Sequence, residues 1–479
     1  MPSDERSSTR RGYLRVAGTA ALAALAGCGA FDRNDETAPG ETAGETTDTT
    51  TTGDGASGET TETTTSESPE TTAGPPTDGY GTVVNVAKAG ADDSGKKPVN
   101  PVLNEHLGDD TLLYFPPGRY RLTEWEVVDY RNLSIVGEDA TLVPPPDERN
   151  YWLMFDELRD FRLEGFEFDC RAPNVAPITY LTVTGGSNVV RDVAIRGHRK
   201  RSPNGFEIAV ANPKADLLFD RVRLPDGSNR GVAIYTFPKS VGRLTFLNCH
   251  VEHWKEGLYA SPHSGPLAVE GGYYANNGID QIRVGGGPNG AVVRGATVRV
   301  DEPKRPKFKP NMRGIWQEEG AHLRVEGCVL AFTDLTGTYS SGAVVVGRQG
   351  GAADIRNTRI RTDVDTHAIH VRRPVTSAKG QVMPSMDRLP KSRKVTCENV
   401  EIVGDAVHGA AIRVDQRDDV DFRNVCVQQP EGERDGALVQ HTDGVSIRDS
   451  TIAVAGKAIR TTDAKVSTKN LRTKGNCRL

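Results

Sequence analysis

At 479 residues the chain has room for two or three ordinary domains, or for one long repetitive one. Its formal net charge of −5 is unevenly spread: residues 29–78 hold 12 acids against one Arg, and residues 1–28 hold four Arg against two acids, which leaves +4 for residues 79–479. A mildly basic folded part suits an anionic glycan better than nucleic acid, and no P-loop, nucleotide-binding glycine motif or zinc-type cysteine pair points to a cofactor.

The first elements are not globular. Residues 9–15 read TRRGYLR, a short Ala/Leu run follows, and Leu25–Cys28 reads LAGC. The apolar run is too short to span a bilayer and fits the h-region of a signal peptide. The Arg10–Arg11 pair resembles the twin-arginine export motif, and LAGC resembles a lipobox. Together they imply cleavage before Cys28, lipidation of its thiol and residence at the outer face of a membrane. Residues 29–78 are Thr, Glu, Gly and Ser with almost no large apolar side chain. Such a segment cannot offset its ordering entropy by burial, so a disordered stalk about 40 Å long as a random coil is expected before a folded domain over 79–479.

Residues 81–93, GTVVNVAKAGADD, and 112–122, LLYFPPGRYRL, flank PVLNEHL at 101–107, which sets Val102, Leu103, His106 and Leu107 on one face of a short helix. This arrangement resembles the start of pectin-lyase-like right-handed parallel β-helix proteins, in which a short helix caps the first coil. The resemblance implies the fold for about residues 80–479. It implies no single activity, because this fold hosts lyases, hydrolases, epimerases, esterases and adhesins.

A repeat runs through the rest of the chain. The pattern apolar, any, Gly/Asn/Asp, any, any, apolar recurs from LEGFEF to IRDSTI, with FDRVRL as an imperfect copy. Its third positions fall at 165, 192, 221, 248, 271, 295, 327, 357, 399, 424 and 449. Intervals of 23–32 residues, with one of 42, indicate stacked repeats, and the alternating Val/Ile/Phe composition is that of strands. A second track follows downstream, in NGFEIAV, RGVAIYT, EGLYAS, DQIRVG and their later equivalents. Two strand tracks per coil and 11–13 coils are therefore expected, with like positions about 4.8 Å apart. The stretch TFLNCHVEHWKEGLYAS at 245–261 would be most of one coil.

Six cysteines follow Cys28. Cys249 and Cys328 take the same motif position three coils apart, beyond disulfide reach, and Cys397 and Cys426 are out of register on adjacent coils. Buried thiols are the favoured reading for all six.

In the second track, period two sends every other residue outward. Counted from the turn residue, one outward row is Glu207, Ala233, Tyr259, Arg283, Trp316, Val344, His370, Arg413, Val439 and Arg460. The other includes Tyr235, Ser261, Glu318, Arg372, Asp415 and His441. Tyr235, Tyr259, Arg283, Trp316 and Glu318 form a candidate substrate-binding patch, since exposed rings suit the C–H faces of sugars and Arg suits a carboxylate or sulfate. His370, Arg372, Arg413, Asp415 and His441 form a candidate catalytic cluster, with Arg372, Asp415 and His441 in one row and His370 beside Arg413. Three basic loops, 198–204, 301–311 and 374–394, could wall the groove. Asp363, Asp365, His367 and His370 have the ligand types of a calcium or other metal site without a spacing that defines one, so no cofactor is assigned.

Two functions stay open. One is cleavage of a uronate-type polysaccharide, with β-elimination favoured over hydrolysis because Glu318 and Asp415 stand about 14 Å apart by coil stacking. The other is a non-catalytic surface protein that binds glycan or presents a rigid rod. Either would be a monomer whose only membrane contact is its lipid, with an anionic polysaccharide as partner and no nucleic acid.

Overall fold

A computed structural model of the protein describes residues 78–145, 151–200, 204–303 and 311–477. The twin-arginine motif, Cys28 and all of the 29–78 segment except Asp78 lie outside these residues.

The described chain is a parallel β-helix. Each strand pairs in parallel with its equivalent one coil on, and thirteen strands from Trp125–Val128 to Ile459–Thr462 build one continuous flat sheet. The remaining strands form a larger bent sheet. Many coils therefore contribute three strands rather than the two expected, while in others the first two merge into one long strand such as Ala352–Thr362. In the stretch 245–261 the three are Arg243–Leu247, His250–Glu252 and Glu256–Ala260. The repeat motif straddles a corner between the first two.

The third motif position makes that corner. All eleven such residues have positive φ, from Gly165 at 78° through Asn248 at 51° to Asp449 at 51°. A left-handed residue costs little for Gly and is tolerated by Asn and Asp, which explains the motif's composition. Arg221, the exception at φ 53°, is held by a bidentate ion pair of its Nε and Nη2 with Asp192 at 2.7 Å. Asn424, Asn399 and Asn357 stack at this corner through side-chain hydrogen bonds of 2.7 and 3.1 Å.

Inside the solenoid, like residues stack in rows. Phe206, Ile234, Leu258, Ile282, Ile315, Val344, Ile369 and Ile412 are in register and almost fully buried. The open N-terminal end is capped by the helix Asn100–His106, whose Leu103 is buried while Val102 and Leu107 pack against the core. Asn100 and Asn104 tie this helix to the first coils, accepting from Thr123 N–H and Trp125 Nε1–H at 2.9 Å.

One cysteine expectation is corrected. Cys426 is bonded to Cys477, with Cα atoms 5.5 Å apart. Cys477 lies beyond the last repeat, where the chain folds back and its N–H donates to Gln428 at 3.0 Å, so repeat register could not have revealed the pair. Cys170, Cys249, Cys328 and Cys397 are buried thiols. Burial pushes Cys249 up to about 12 and Cys328 up to about 11, which makes both unreactive at ordinary pH.

Candidate functional site

The outward face of the flat sheet carries the chemistry. Its central row runs in register through Tyr180, Glu207, Tyr235, Tyr259, Arg283, Trp316, Val345, His370, Arg413, Leu438 and Arg460. Tyr235 thus takes the place expected for Ala233, Val345 that of Val344, and Leu438 that of Val439. The turn residue before each strand stands at a variable distance, and an odd shift of origin turns a side chain to the other face.

A further polar row lies three residues earlier, at Asn204, Glu256, Asp280, Arg313 and His367, and it reaches the central one. Asn204 donates to Glu207 at 2.7 Å, Arg283 Nη1 donates to Glu256 at 2.9 Å, and the Arg313 guanidinium sits 3.5 Å from the Trp316 ring. The signal was legible as a polar residue three before Glu207, Tyr259, Arg283, Trp316 and His370, but an alternating pattern assigns that position inward.

Arg283 organises the middle of the face. Its Nε donates to Glu318 at 2.8 Å and its Nη2 also bonds that carboxylate. The guanidinium lies 3.8 Å from the Tyr259 ring and 4.5 Å from the Trp316 ring. Beside it Arg313 bonds Asp280 at 2.6 Å. Burial penalises Glu318, yet Arg283 and the Ser261 hydroxyl hold its carboxyl below the usual carboxylate range. Asp280 goes the other way: complete burial pushes it up to about 7 against the pull of Arg313.

These contacts revise the binding patch. Tyr235 is 3% exposed, Tyr259 8% and Arg283 6%, and the two tyrosine rings pack edge to face 5.2 Å apart. They are internal packing rather than an open platform, and the donors of Arg283 are already taken by Glu256 and Glu318. Trp316 and Glu318 remain partly exposed.

Three and four coils beyond Arg283 toward the C-terminus the second cluster assembles in part. His370 pairs with Arg413 across adjacent strands as expected. His370 is buried, with Nε2 3.1 Å from Asp415 and Nδ1 3.0 Å from the Ser341 carbonyl. Arg413 is one-third exposed and donates through Nε to the other Asp415 oxygen at 3.0 Å. Burial opposes ionisation of Asp415, but His370 and Arg413 keep its carboxyl low. Arg372 is partly exposed on the neighbouring strand end. His441 does not join them. Gln440 stands opposite Asp415, and His441, one residue later at φ 53°, faces Asp463 at 3.4 Å.

The basic loops differ in fate. Residues 201–203 and 304–310 lie outside the described residues. Arg199 in the first loop is buried, donates to the Asn204 carbonyl at 2.8 Å and lies over Trp254, so it fastens a turn. The segment 374–394 forms a strap running back along the solenoid. Ser385 N–H donates to the buried Glu319 at 3.1 Å, and the Ser385 carbonyl lies against Gly287. Burial, and then the charge of Glu318, push Glu319 up to about 8. Arg417, also buried, ties down the turn under the strap through the carbonyls of Gly347 and Gly351, each at 3.0 Å.

The metal-like residues are separately engaged: Asp363 by Arg361, Asp365 by His408, and His367 by the Ala410 carbonyl. Among the described residues no three His, Cys, Asp or Glu side chains converge as metal ligands.

No family model and no curated protein matches the chain. Among solved structures it is similar to PfbA, a surface adhesin of Streptococcus pneumoniae, at 13% identity over 81% of this chain and 92% of that one, with a TM-score of 0.42. It is also similar to a family 28 exopolygalacturonase of Yersinia enterocolitica, at 12% identity over 81% and 78% of the two chains, TM-score 0.40. A third is the catalytic unit of a GH87 α-1,3-glucanase from Streptomyces thermodiastaticus, at 12% identity over 84% and 70%, TM-score 0.43. These are distant likenesses, and the parallel β-helix of this chain is read from its own strand pairings.

Proposed function

We propose that this chain is an exported, lipid-anchored β-helix protein that binds an anionic polysaccharide along the outward face of its flat sheet. The observation that carries the reading is Arg413: a single Nε–H is spent on Asp415, and the rest of a partly exposed guanidinium is left at the surface with Arg372 on the next coil. A planar, permanently charged fork suits a carboxylate or sulfate. Binding is favoured over β-elimination because the cluster around Arg413 holds no exposed base. His370 is buried between two oxygen acceptors, and His441 points to Asp463. The Cys426–Cys477 disulfide suits an oxidising compartment and so supports export.

The test is a panel of uronate, sulfated and neutral polysaccharides, followed by binding, by absorbance of unsaturated products and by reducing ends. Binding of anionic members that weakens with salt is expected, with no product. Arg413→Ala should weaken it about fivefold, the equivalent of about 1 kcal/mol for a partly exposed ion contact. Unchanged binding by that variant, or no anionic ligand at low salt, refutes the proposal. Product formation would restore the cleavage reading.

A further inference from the structure

We infer that Tyr180 and Phe237, with Tyr151 and Asp156 beside them, form a second binding site for an uncharged sugar ring at the N-terminal end of the same face. The inference rests on the glycan-binding reading for its ligand class, but on none of the residues that carry that reading.

The rings are unlike Tyr235 and Tyr259 on the same face. Tyr235 and Tyr259 are buried, whereas Tyr151, Tyr180 and Phe237 are each partly exposed. They are contiguous: Tyr151 and Tyr180 are 5.7 Å apart, and so are Tyr180 and Phe237. Phe237 is anchored from behind by the buried Tyr235 ring at 5.5 Å. The Tyr151 hydroxyl donates to buried Glu207 at 2.7 Å, which fixes that ring from the other side. A partly exposed aromatic cluster held from below presents contiguous apolar surface, and such patches mark binding sites. Its rotamers are already set, so little ordering entropy is lost on binding.

Charge selects the ligand. The carboxyl groups here are acceptors: Asp156, partly exposed, takes the Thr182 hydroxyl, and Glu126 and Glu157 are exposed nearby on the same edge. Among the described residues the nearest cations in sequence are Lys239, exposed two residues beyond Phe237, and Arg159, three beyond Asp156 and paired with Asp129 at 3.0 Å. Carboxylates accept from sugar hydroxyls and repel a uronate. The opposite end of the face carries Arg372 and Arg413. The face is therefore polarised, with a neutral stacking platform toward the N-terminus and a cationic end toward the C-terminus. Between Tyr180 and Arg413 the central row makes eight coil steps, about 38 Å at strand spacing. One glycan engaging both ends must be long and lie along the solenoid axis.

The experiment titrates the full chain with neutral glucan, mannan and galactan oligosaccharides, and with uronate oligosaccharides, from disaccharides to decasaccharides. Wild-type protein should bind at least one neutral series with little salt dependence. Tyr180→Ala and Phe237→Ala should each weaken that binding tenfold or more, Tyr180→Phe should retain it, and Arg413→Ala should leave it unchanged. Circular dichroism of each variant checks the fold, and Phe237→Ala answers if Tyr180→Ala does not fold. Binding of no neutral sugar, or neutral binding untouched by both alanine variants, overturns the platform. Loss of neutral binding in Arg413→Ala also overturns it. Failure of the anionic site alone would show as absent uronate binding with neutral binding intact, so the two readings fail separately.

Discussion

Replacing Glu319 by glutamine isolates one buried acid. The side chain is fully buried where the strand Arg313–Gln317 ends, accepts from Ser385 N–H and stands next to the ionised Glu318. Burial first, and then the Glu318 charge, raise its carboxyl from 4.5 to about 8. Arg283 and the Ser385 bonds pull the other way without prevailing. Between those two values the folded state holds a proton that the unfolded chain has released. Stability therefore falls as pH rises through the window and levels off above it. At about 1.4 kcal/mol per unit, the interval from 4.5 to about 8 sets an upper bound of about 5 kcal/mol on the penalty above pH 8. Glutamine keeps an oxygen for Ser385 N–H and does not titrate. In urea unfolding between pH 4.5 and 9, the variant should match wild type at the acid end and exceed it by a few kcal/mol at pH 8 and above. Amide exchange of Ser385 should accelerate with pH in wild type, beyond the intrinsic base dependence, and should not do so in the variant. Parallel stability profiles for the two proteins would refute the reasoning, because every other carboxylate is common to both.

Arg283→Met should cost about 3–5 kcal/mol in chemical unfolding, since it strands Glu256 and Glu318 without their cation, and adding Glu318→Gln should recover part of it; a loss below about 1 kcal/mol would mean the cluster is open to water. Cys426→Ser should free the C-terminal segment and destabilise the last coils by about 2–4 kcal/mol, read as faster proteolysis beyond residue 426 under oxidising conditions, and equal protection under reduction and oxidation would count against the bond. Cys28→Ser should move the full chain from the membrane fraction to the soluble or unprocessed one, and an unlipidated, fully soluble wild type would end the anchoring proposal.

Sequence alone determined the architecture, because a solenoid repeats its local chemistry. A left-handed corner accepts Gly, Asn and Asp far more readily than other residues, so eleven corners wrote themselves into the chain at coil intervals, even where Arg221 broke the rule. Inward rows of Ile, Val, Leu and Phe were legible for the same reason. What tertiary structure decided is what fills the outward face. Sequence placed Tyr259, Arg283 and Trp316 side by side but could not tell that Glu256 and Glu318 saturate the cation and that packing buries the tyrosine. Burial there comes from contacts between coils, Tyr235 against Tyr259 and Arg283 against Glu256, Glu318 and Trp316. The variable distance from turn residue to strand moved Val345 and Leu438 into the outward row and replaced His441 by Gln440 opposite Asp415. The Cys426–Cys477 bond also lay beyond reach, because it joins a repeat to a tail that has none. Periodicity reports local geometry; the chemistry of this face comes from contacts between coils and from loops, and neither repeats.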